Sequence, residues 1–267
     1  MIDVIKQQFK EGMSASQKLN VTREALQILA LKILYEKKFF DQIAFVGGTS
    51  LRILYDLKRF SEDLDFSLVR KQKYDFDKIH KKLLKEFHLY NLPFEAKVRT
   101  VNNVHSMMMK FTGLLKELGL SELPDQKLSV KLEVDVNPPE GWKLGNTIVN
   151  KIYMFNITHY DLPSLYAGKL HACFYRKFTK GRDFYDFMWY LGKKVKPNLL
   201  LLNNAIKQTQ GEDAGITDEN LKSFLLENIQ RIDFNQVKKD VERFLEDKNE
   251  LNLLDTKLIQ DTIESVY

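Results

Sequence analysis

Alternation of apolar and polar residues predicts strands in the first 160 residues of the chain. The clearest strand spans residues 128–136, where every second residue is apolar and the residues between them are polar or charged. This period places the apolar side chains on one face of the strand. Shorter alternating or apolar runs predict further strands at residues 43–46, 64–69, 94–101, 104–111 and 147–157.

A helical period of apolar residues predicts the remaining elements. In the first half it predicts helices at residues 22–38, with Asn20 or Thr22 as the N-cap, at about 49–55 and at 76–87. After residue 162 it predicts only helices, at about 163–176, 182–192, 197–208, 217–229, 233–247 and 251–265. We therefore predict an α+β fold, with a mixed-sheet domain at residues 1–160 and a helical domain at residues 161–267.

Composition narrows the class of protein. Hydrophobic residues make up 44% of the 267 positions, but no run of about 18 apolar residues is present, so we expect no membrane partner. The first ten residues mix charged and apolar side chains and lack the pattern of a signal peptide, so we expect a cytoplasmic protein. The one cysteine, Cys173, excludes an intramolecular disulfide and a Cys-rich zinc site, and its apolar surroundings indicate a packing role.

A Gly-Gly turn follows the predicted strand at residues 43–46. Gly47 and Gly48 end that strand and lead into a short helix that begins near Thr49 and Ser50. Backbone N–H groups at such a turn, the positive end of the helix dipole and two hydroxyls can receive a phosphate. A plain strand-to-helix turn is the alternative, and the spacing excludes a P-loop, which needs a lysine after its second glycine.

Two carboxylates follow this turn. Fourteen residues separate Gly48 from Asp63, and Asp65 comes two positions later. On an extended backbone both side chains leave the same face, and two carboxylates this close repel unless a cation lies between them. Hard oxygen ligands suit Mg²⁺, with Mn²⁺ as a substitute. The turn and the carboxylates together predict a site for a metal–nucleotide complex.

Further charged residues extend this candidate site. Glu133 and Asp135 share a face of the predicted strand at 128–136, so that strand can add a third metal carboxylate if it neighbours the strand of the first two. The alternating period does not decide which of the two is the metal ligand. The alternative to metal binding is that this strand face is simply exposed to solvent. Arg52, near the Gly-Gly turn, either contacts phosphate or pairs with Glu62.

Lys169 and Asp186 are candidate functional residues of the helical half. In the functional interpretation, Lys169 contacts a triphosphate and Asp186 orients it or the acceptor. In the alternative, Asp186 forms an i,i+4 ion pair with Arg182 that is worth a few tenths of a kcal/mol. His171 lies between apolar neighbours, which favours a packed histidine over a base.

Four ordered motifs resemble the AbiEii/AbiGii-type toxin family, whose members have the DNA polymerase β-like nucleotidyltransferase fold. The motifs are GGTSLR at 47–52, RFSEDLDF at 59–66, KLEVDVNPP at 131–139, and KLHA at 169–172 with RDFYD at 182–186. Together with the patterns above, the resemblance predicts the residues of each site. The catalytic residues are Asp63, Asp65, Lys169 and Asp186, the nucleotide-binding residues are Gly47, Gly48, Thr49, Ser50, Arg52 and Lys169, and the metal ligands are Asp63, Asp65, Glu133 and Asp135.

The resemblance also implies an activity and partners. It implies a toxin of phage-defence type that works with a cognate antitoxin and transfers NMP from an NTP to an RNA acceptor, a tRNA, and so blocks translation. Eight basic residues between Lys169 and Lys196, against two acidic ones, could hold the phosphates of the NTP and the RNA. A protein or small-molecule acceptor, or a non-catalytic nucleotide- or RNA-binding module, is the alternative.

Overall fold

A mixed β-sheet followed by helices makes up the fold, which confirms the predicted α+β class. The structure is a computed structural model that describes residues 1–178 and 180–267. Its contacts divide the chain into two compact units. The first unit contains Met1–Leu54, Phe60–Asn137 and Gly145–His159, and the second contains Tyr55–Arg59, Pro138–Leu144 and Tyr160–Tyr267. The proposed domain boundary at residue 160 stays a prediction.

The sheet is built from short and medium-length strands. The part of the chain described here contributes seven strands, which are β1 (Ile43–Val46), β2 (Asp63–Leu68), β3 (Glu95–Arg99), β4 (Val104–Thr112), β5 (Lys127–Asp135), β6 (Leu144–Asn150) and β7 (Met154–Tyr160). Their order in the sheet is β3-β4-β5-β2-β1-β7-β6. Strand β2 runs antiparallel to β1 and parallel to β5, so it lies in the interior of the sheet with a neighbour on each side.

The last predicted strand of the sheet proved to be two strands. We predicted one strand at residues 147–157, whereas β6 and β7 occupy 144–150 and 154–160 with a reversal at 151–153. The prediction was wrong because the reversal contains Lys151, Ile152 and Tyr153, none of which is a typical turn residue. The paired strands are linked by side chains, since Thr158 Oγ1 donates to Asn146 Oδ1 at 3.0 Å.

Five described helices of the first unit lie before and between these strands along the chain. They are α1 (Ile2–Lys6), α2 (Ala15–Glu36), α3 (Gly47–Leu54), α4 (Phe76–Leu89) and α5 (Leu114–Glu117), of which α1 and α5 were not predicted. The predicted N-cap of α2 was wrong, because Ser14 and Gln17 form a capping box. Ser14 Oγ accepts from the Gln17 N–H at 3.2 Å, and Gln17 Oε1 accepts from the Ser14 N–H at 2.9 Å.

Alternation in β2 and β5 separates a core face from a polar face. The apolar members Leu64, Leu132 and Val134 are fully buried, and the carboxylates between them are only half-buried. Burial of apolar side chains is worth about 1.5–3 kcal/mol for each large residue, so the register of both strands is strongly fixed. The candidate carboxylates are therefore presented on the face opposite the core.

Helices make up most of the second unit. They are α6 (Leu162–Tyr175), α7 (Gly181–Gly192), α8 (Leu199–Gln210), α9 (Leu221–Ile229), α10 (Phe234–Val241) and α11 (Thr256–Val266). Each corresponds to a predicted helix, but the one predicted at 233–247 ends at Val241 and is followed by 3₁₀ turns at Glu242–Phe244 and Lys248–Leu253. None of the described helices is long and apolar enough to cross a membrane.

An aromatic core holds α6 against α7. The rings of Tyr166 and Tyr190 stack with their centroids 4.3 Å apart, and Phe187 lies 6.3 Å from Tyr166. All three side chains are fully buried. Stacked and tilted aromatic pairs add about 0.5–1.5 kcal/mol each beyond the area they bury. This packing fixes the two helices that carry Lys169 and Asp186.

Candidate functional site

The turn at Gly47 lies against the side chain of Asp65. Gly47 has a φ of +78°, a left-handed value that L side chains rarely adopt. A Cβ atom on this residue would lie 2.9 Å from the Cβ of Asp65 and closer still to its Oδ2. Glycine is therefore required for two reasons, the backbone conformation and the close approach of the turn to this carboxylate.

The hydroxyls of Thr49 and Ser50 hold the turn in place. Both residues are fully buried, and Gly48 precedes them as the second residue of α3. The Thr49 hydroxyl donates to the Asp63 carbonyl, and Ser50 Oγ donates to the Gly47 carbonyl at 2.7 Å. Each hydroxyl has one proton to donate, and the backbone receives it here. Their role as phosphate donors stays a prediction, while the first N–H groups of a helix lack acceptors within that helix.

Asp63 and Asp65 lie on β2 directly beside β5. The parallel pairing places Asp63 next to Lys131 and Asp65 next to Glu133. This confirms that the two carboxylate-bearing strands are neighbours. Lys131 Nζ pairs with Glu133 Oε1 at 2.7 Å. Within residues 1–178 and 180–267, no three His, Cys, Asp or Glu side chains are gathered as a metal site would require, so the metal ligands stay a prediction.

Asp135 lies one residue pair further along the same face. It is the neighbour of Ser67 on β2, and its Oδ1 accepts a hydrogen bond from the Asn137 N–H at 2.9 Å. Burial raises the pKa of Asp135, and the bond from Asn137 opposes part of that rise. Asp135 therefore also serves to shape the end of β5, where the chain turns into Asn137-Pro138-Pro139.

Arg52 has a structural partner that the sequence did not indicate. Its Nε pairs with Glu24 Oε2 at 2.5 Å, and its guanidinium lies 4.4 Å from the centre of the Phe60 ring. The predicted pairing of Arg52 with Glu62 stays a prediction. Glu24 lies on α2, 28 residues away in the sequence, and no local spacing predicts such a contact. Contact of Arg52 with phosphate stays a prediction.

A cluster of charged side chains surrounds Lys169 in the second unit. Lys169 Nζ lies 2.6 Å from Asp183 Oδ1 and 2.7 Å from Asp186 Oδ2. Arg59 binds both oxygens of Asp186, through Nε and Nη2, at 2.6 Å each. Arg176 Nη1 completes the cluster at 2.7 Å from Asp183 Oδ2. We call these five residues the charge cluster.

Burial and mutual attraction fix the charges in this cluster. Burial acts to lower the pKa of Lys169, but the carboxylates of Asp183 and Asp186 outweigh it and raise that pKa. Burial acts to raise the pKa of Asp183, but Lys169 and Arg176 outweigh it and lower that pKa. Lys169 is therefore a cation and Asp183 an anion at neutral pH. Since Lys169 already has two carboxylate partners, its contact with a triphosphate stays a prediction.

Arg59, Arg176 and Asp183 are members of the cluster that the sequence analysis did not predict as site residues, and Arg59 is the most deeply buried of them. It is 2% exposed, and its partner Asp186 lies 127 residues further along the chain. The sequence offers only one signal, because Arg59 opens the motif at 59–66 that also contains Asp63 and Asp65. Burial of an arginine and its bidentate pairing cannot be inferred from that position.

His171 and Cys173 lie near the cluster and have packing roles. His171 Nε2 lies 2.8 Å from Thr209 Oγ1, and burial, together with Arg176, lowers the pKa of this histidine. Cys173 is buried, and burial raises its pKa well above the ordinary value, so it is a thiol at neutral pH. Neither residue has the properties of an activated base or nucleophile.

Comparisons with known proteins place this chain in a class and then in a family. It is an enzyme of the nucleotidyl transferase class. More narrowly, it belongs to the AbiEii family, because the model of that family, described as "Nucleotidyl transferase AbiEii toxin, Type IV TA system", matches residues 29–260. No curated protein is similar enough to this chain to count as a match.

Two solved structures from Helicobacter pylori are similar to this chain over most of its length. JHP933 is 20% identical, with a TM-score of 0.48 and coverage of 92% of this chain and 94% of its own. A second protein, described as a "putative nucleotidyltransferase", is 19% identical, with a TM-score of 0.48 and coverage of 92% and 97%. The family membership rests on the match between the family model and residues 29–260, not on these two structures.

Substitution of Gly47 by alanine tests the close approach of the turn to Asp65. Gly113 is a matched control, since its φ is also +78° but a Cβ there would meet nothing within 4 Å. We expect Gly113→Ala to lower the free energy of unfolding by about 1–2 kcal/mol, and Gly47→Ala by at least about 1 kcal/mol more. Urea unfolding of both variants provides the measurement. Equal losses would show that contact with Asp65 costs nothing.

The lowered pKa of Asp183 predicts a pH dependence of stability. Its folded-state pKa lies below the unfolded value of 3.8, so its contribution is present above that value and is lost as the pH falls through the folded-state pKa. We expect Asp183→Asn to cost about 3 kcal/mol near pH 7 and progressively less below about pH 4. Urea unfolding from pH 3 to 8 tests this, with the exposed Asp218→Asn as a control. A penalty that does not change with pH would contradict it.

Proposed function

We propose that this enzyme is the toxin of a toxin–antitoxin pair and transfers NMP from an NTP to an RNA acceptor, a tRNA, in a Mg²⁺-dependent reaction that blocks translation. In this reaction an acceptor hydroxyl attacks the α-phosphorus, the bond to the β-phosphate breaks and pyrophosphate leaves. The observation that carries the proposal is the packing of the Gly47 turn against Asp65, which itself lies beside Glu133. The turn that would bind phosphate and the carboxylates that would bind metal belong to one compact unit.

The chemistry of the carboxylates on this face suits a divalent cation, although no three of them are gathered at one point among residues 1–178 and 180–267. Asp63, Asp65 and Glu133 offer hard carboxylate oxygens from neighbouring strands, and the absence of a Cβ on Gly47 lets the Asp65 carboxylate lie directly against the turn. When bound, Mg²⁺ or Mn²⁺ would supply charge neutralisation for the triphosphate and lower the pKa of the attacking hydroxyl. The side chains would hold that ion, and the first N–H groups of α3 would bind phosphate oxygens.

Glu133 is the better candidate than Asp135 for the third ligand. Val46, which precedes the turn, pairs with Asp65 across the antiparallel β1–β2 ladder, so the turn lies at the Asp65 end of β2. Glu133 is the β5 neighbour of Asp65. Asp135 pairs one step further from the turn and is already bound to the Asn137 N–H. Glu133 would exchange its Lys131 partner for the metal.

The charge cluster supports a role for Lys169 and Asp186 in activity. Both are held in one geometry by ion pairs of 2.6–2.7 Å, and Arg59 fixes both oxygens of Asp186. Preorganised charges stabilise developing charge in a transition state without the cost of reorientation. We propose Lys169 as a phosphate-binding cation and Arg59 as the positioning residue for Asp186.

Carboxylate substitutions test the metal-binding face. We expect Asp63→Asn, Asp65→Asn and Glu133→Gln each to reduce transfer of labelled NMP to tRNA about 100-fold or more, since each removes several kcal/mol of charge stabilisation. Asp135→Asn should cost less than about 10-fold. The exposed Asp125→Asn is the control and should have wild-type activity. Unchanged labelling by the Asp63 and Asp65 variants would refute the assignment, and a larger loss for Asp135→Asn would refute the choice of Glu133.

The identity of the acceptor needs a separate experiment. We expect the enzyme, incubated in whole lysate with each of the four labelled NTPs and Mg²⁺, to label material of tRNA size that RNase removes and protease does not. Acceptor choice depends on the shape of the pocket and not on the metal-binding residues, so other members of this fold can use other acceptors. Label that protease removes, or label on a small molecule, would contradict an RNA acceptor.

A further inference from the structure

The sheet face that carries the candidate metal ligands continues across two further strands. Strand β5 pairs with β4, and β4 pairs with β3 at the edge of the sheet. Residues directly opposite one another on paired strands lie on the same face. Glu133 is opposite Asp65 on one side and Ser106 on the other, and Ser106 is opposite Arg99. One row of side chains therefore leads from Asp65 across the sheet to Arg99.

The next two rows of this face also contain cations. Lys131 is opposite Met108, and Met108 is opposite Lys97. One row further along β4, Lys110 is opposite Ser129. We call Lys97, Arg99 and Lys110 the β3–β4 cations.

The core lies on the other side of these strands. Met107, Met109 and Phe111 alternate with the residues of the polar face of β4, and they are buried in the same core as Leu64 and Leu132. Successive side chains of a strand point to opposite faces of the sheet. The β3–β4 cations are therefore on the same side of the sheet as the candidate metal ligands.

The protein makes little internal use of the charge on the β3–β4 cations. Two of them are exposed, Lys110 is half-buried, and none has an ion-pair partner within residues 1–178 and 180–267. The nearest carboxylates on this face are already paired, Glu95 with Lys127 and Glu133 with Lys131, at 2.7 Å each. Lys127 lowers the pKa of Glu95, and Lys110 adds only a smaller attraction. The cations are thus free to bind an anion from outside.

The order of the strands separates these cations from the proposed nucleotide site. Strand β2 has β1 on one side and β5 on the other. The Gly47 turn, which would bind the phosphates of the NTP, follows β1, whereas the β3–β4 cations lie beyond β5. In a metal-assisted transfer the attacking hydroxyl meets the nucleotide at the metal. The acceptor would therefore approach the carboxylates from the β5 side, which the nucleotide leaves free.

The distance from the carboxylates to the cations suits a chain of phosphates. Neighbouring strands lie about 4.8 Å apart, and successive side chains on one face lie about 7 Å apart along a strand. With the observed register, the backbone of each β3–β4 cation is about 14–17 Å from that of Asp65. One strand of a nucleic-acid helix carries a phosphate about every 3.4 Å of its axis. The cations would therefore meet phosphates about four or five nucleotides from the reacting end.

We infer that the β3–β4 cations bind the phosphate backbone of the RNA acceptor and direct its reacting end across β5 to the carboxylates of β2. This inference rests on the proposed function for the nature of the acceptor. The continuity of the cations with the candidate metal ligands favours the reacting RNA over an acidic protein as the occupant. Contacts of Lys and Arg with phosphates position a nucleic acid without reading its sequence, so different tRNAs should depend on them equally.

The test compares two triple variants of the full chain. The sheet variant removes the β3–β4 cations, and the control variant removes the same charge from α4, whose apolar face packs in the core on the opposite side of the sheet. The sheet variant is Lys97→Gln with Arg99→Gln and Lys110→Gln, and the control variant is Lys78→Gln with Lys82→Gln and Lys85→Gln. Thermal unfolding checks that both fold, and the exposed single variant Arg99→Gln replaces the sheet variant if it does not.

Binding and transfer are measured separately. Binding of total tRNA is followed by fluorescence anisotropy from about 50 to 300 mM salt, a range over which contacts with phosphates weaken strongly. Transfer is measured with varied tRNA and with varied NTP. The loss should appear in the KM for tRNA and not in kcat or in the KM for NTP, because the cations hold the acceptor and take no part in the reaction.

We expect the sheet variant to bind tRNA about 10-fold or more weakly at 0.1 M salt, with a log–log salt slope smaller by about 2–3 than that of wild type. The Arg99→Gln variant should lower the slope by about 1. The control variant should lose less than about 3-fold in affinity, since its charges act on the RNA only from a distance.

Wild-type affinity and slope in the sheet variant would overturn the inference, and so would an equal loss in the control variant. A polyglutamate peptide that displaces tRNA from wild type but not from the sheet variant would identify an acidic protein as the occupant and would also overturn it. Binding of tRNA that depends on the β3–β4 cations, without transfer of any NMP, would overturn the proposed function alone and leave this inference standing.

Discussion

The register of β2 between β1 and β5 is the constraint on which the candidate site depends. A slip of one residue would turn Asp63 and Asp65 into the core and expose Leu64 and Phe66, which are 0% and 2% exposed. It would also remove Asp65 from the Gly47 turn and from Glu133. The apolar side chains therefore set the position of the polar ones, and the stability of the core and the geometry of the carboxylates are properties of the same pairing.

The second unit contains a different kind of interaction, a buried cluster of charges. Its charge cluster places two carboxylates and two of its three cations, Lys169 and Arg59, in a region from which most water is excluded. Such groups cost several kcal/mol each to remove from water, and only close, complementary partners offset that cost. A hydrophobic core of similar volume would stabilise the helices at least as well. The cluster is therefore better explained by a requirement for fixed charges than by a requirement for stability, in accordance with the proposed role of Lys169 and Asp186.

Sequence patterns that each extend over about ten residues predicted most of the fold. The alternation in β5 and the buried run of β1 gave the strands, and apolar periods gave the helices of the second unit. The errors occurred where local chemistry is weak or subtle, as at the β6–β7 reversal and at the Ser14 capping box. The Gly-Gly turn and the carboxylates could be recognised from residue type and spacing. Contacts such as Arg52 with Glu24 and Arg59 with Asp186 could not, because they depend on how distant segments pack.

The second unit is built from three separate segments of the chain, and this affects how the protein can fold during synthesis on the ribosome. This unit gathers residues 55–59 and 138–144 with the C-terminal part of the chain, and Arg59 emerges 127 residues before its partner Asp186. Domains fold as their segments leave the ribosome, so the first unit can start to fold while Arg59 still has no carboxylate to bind. The charge cluster can form only in the last stage of translation. A prematurely terminated chain that lacks α7 would therefore contain the Gly47 turn and both β2 carboxylates but never the cluster.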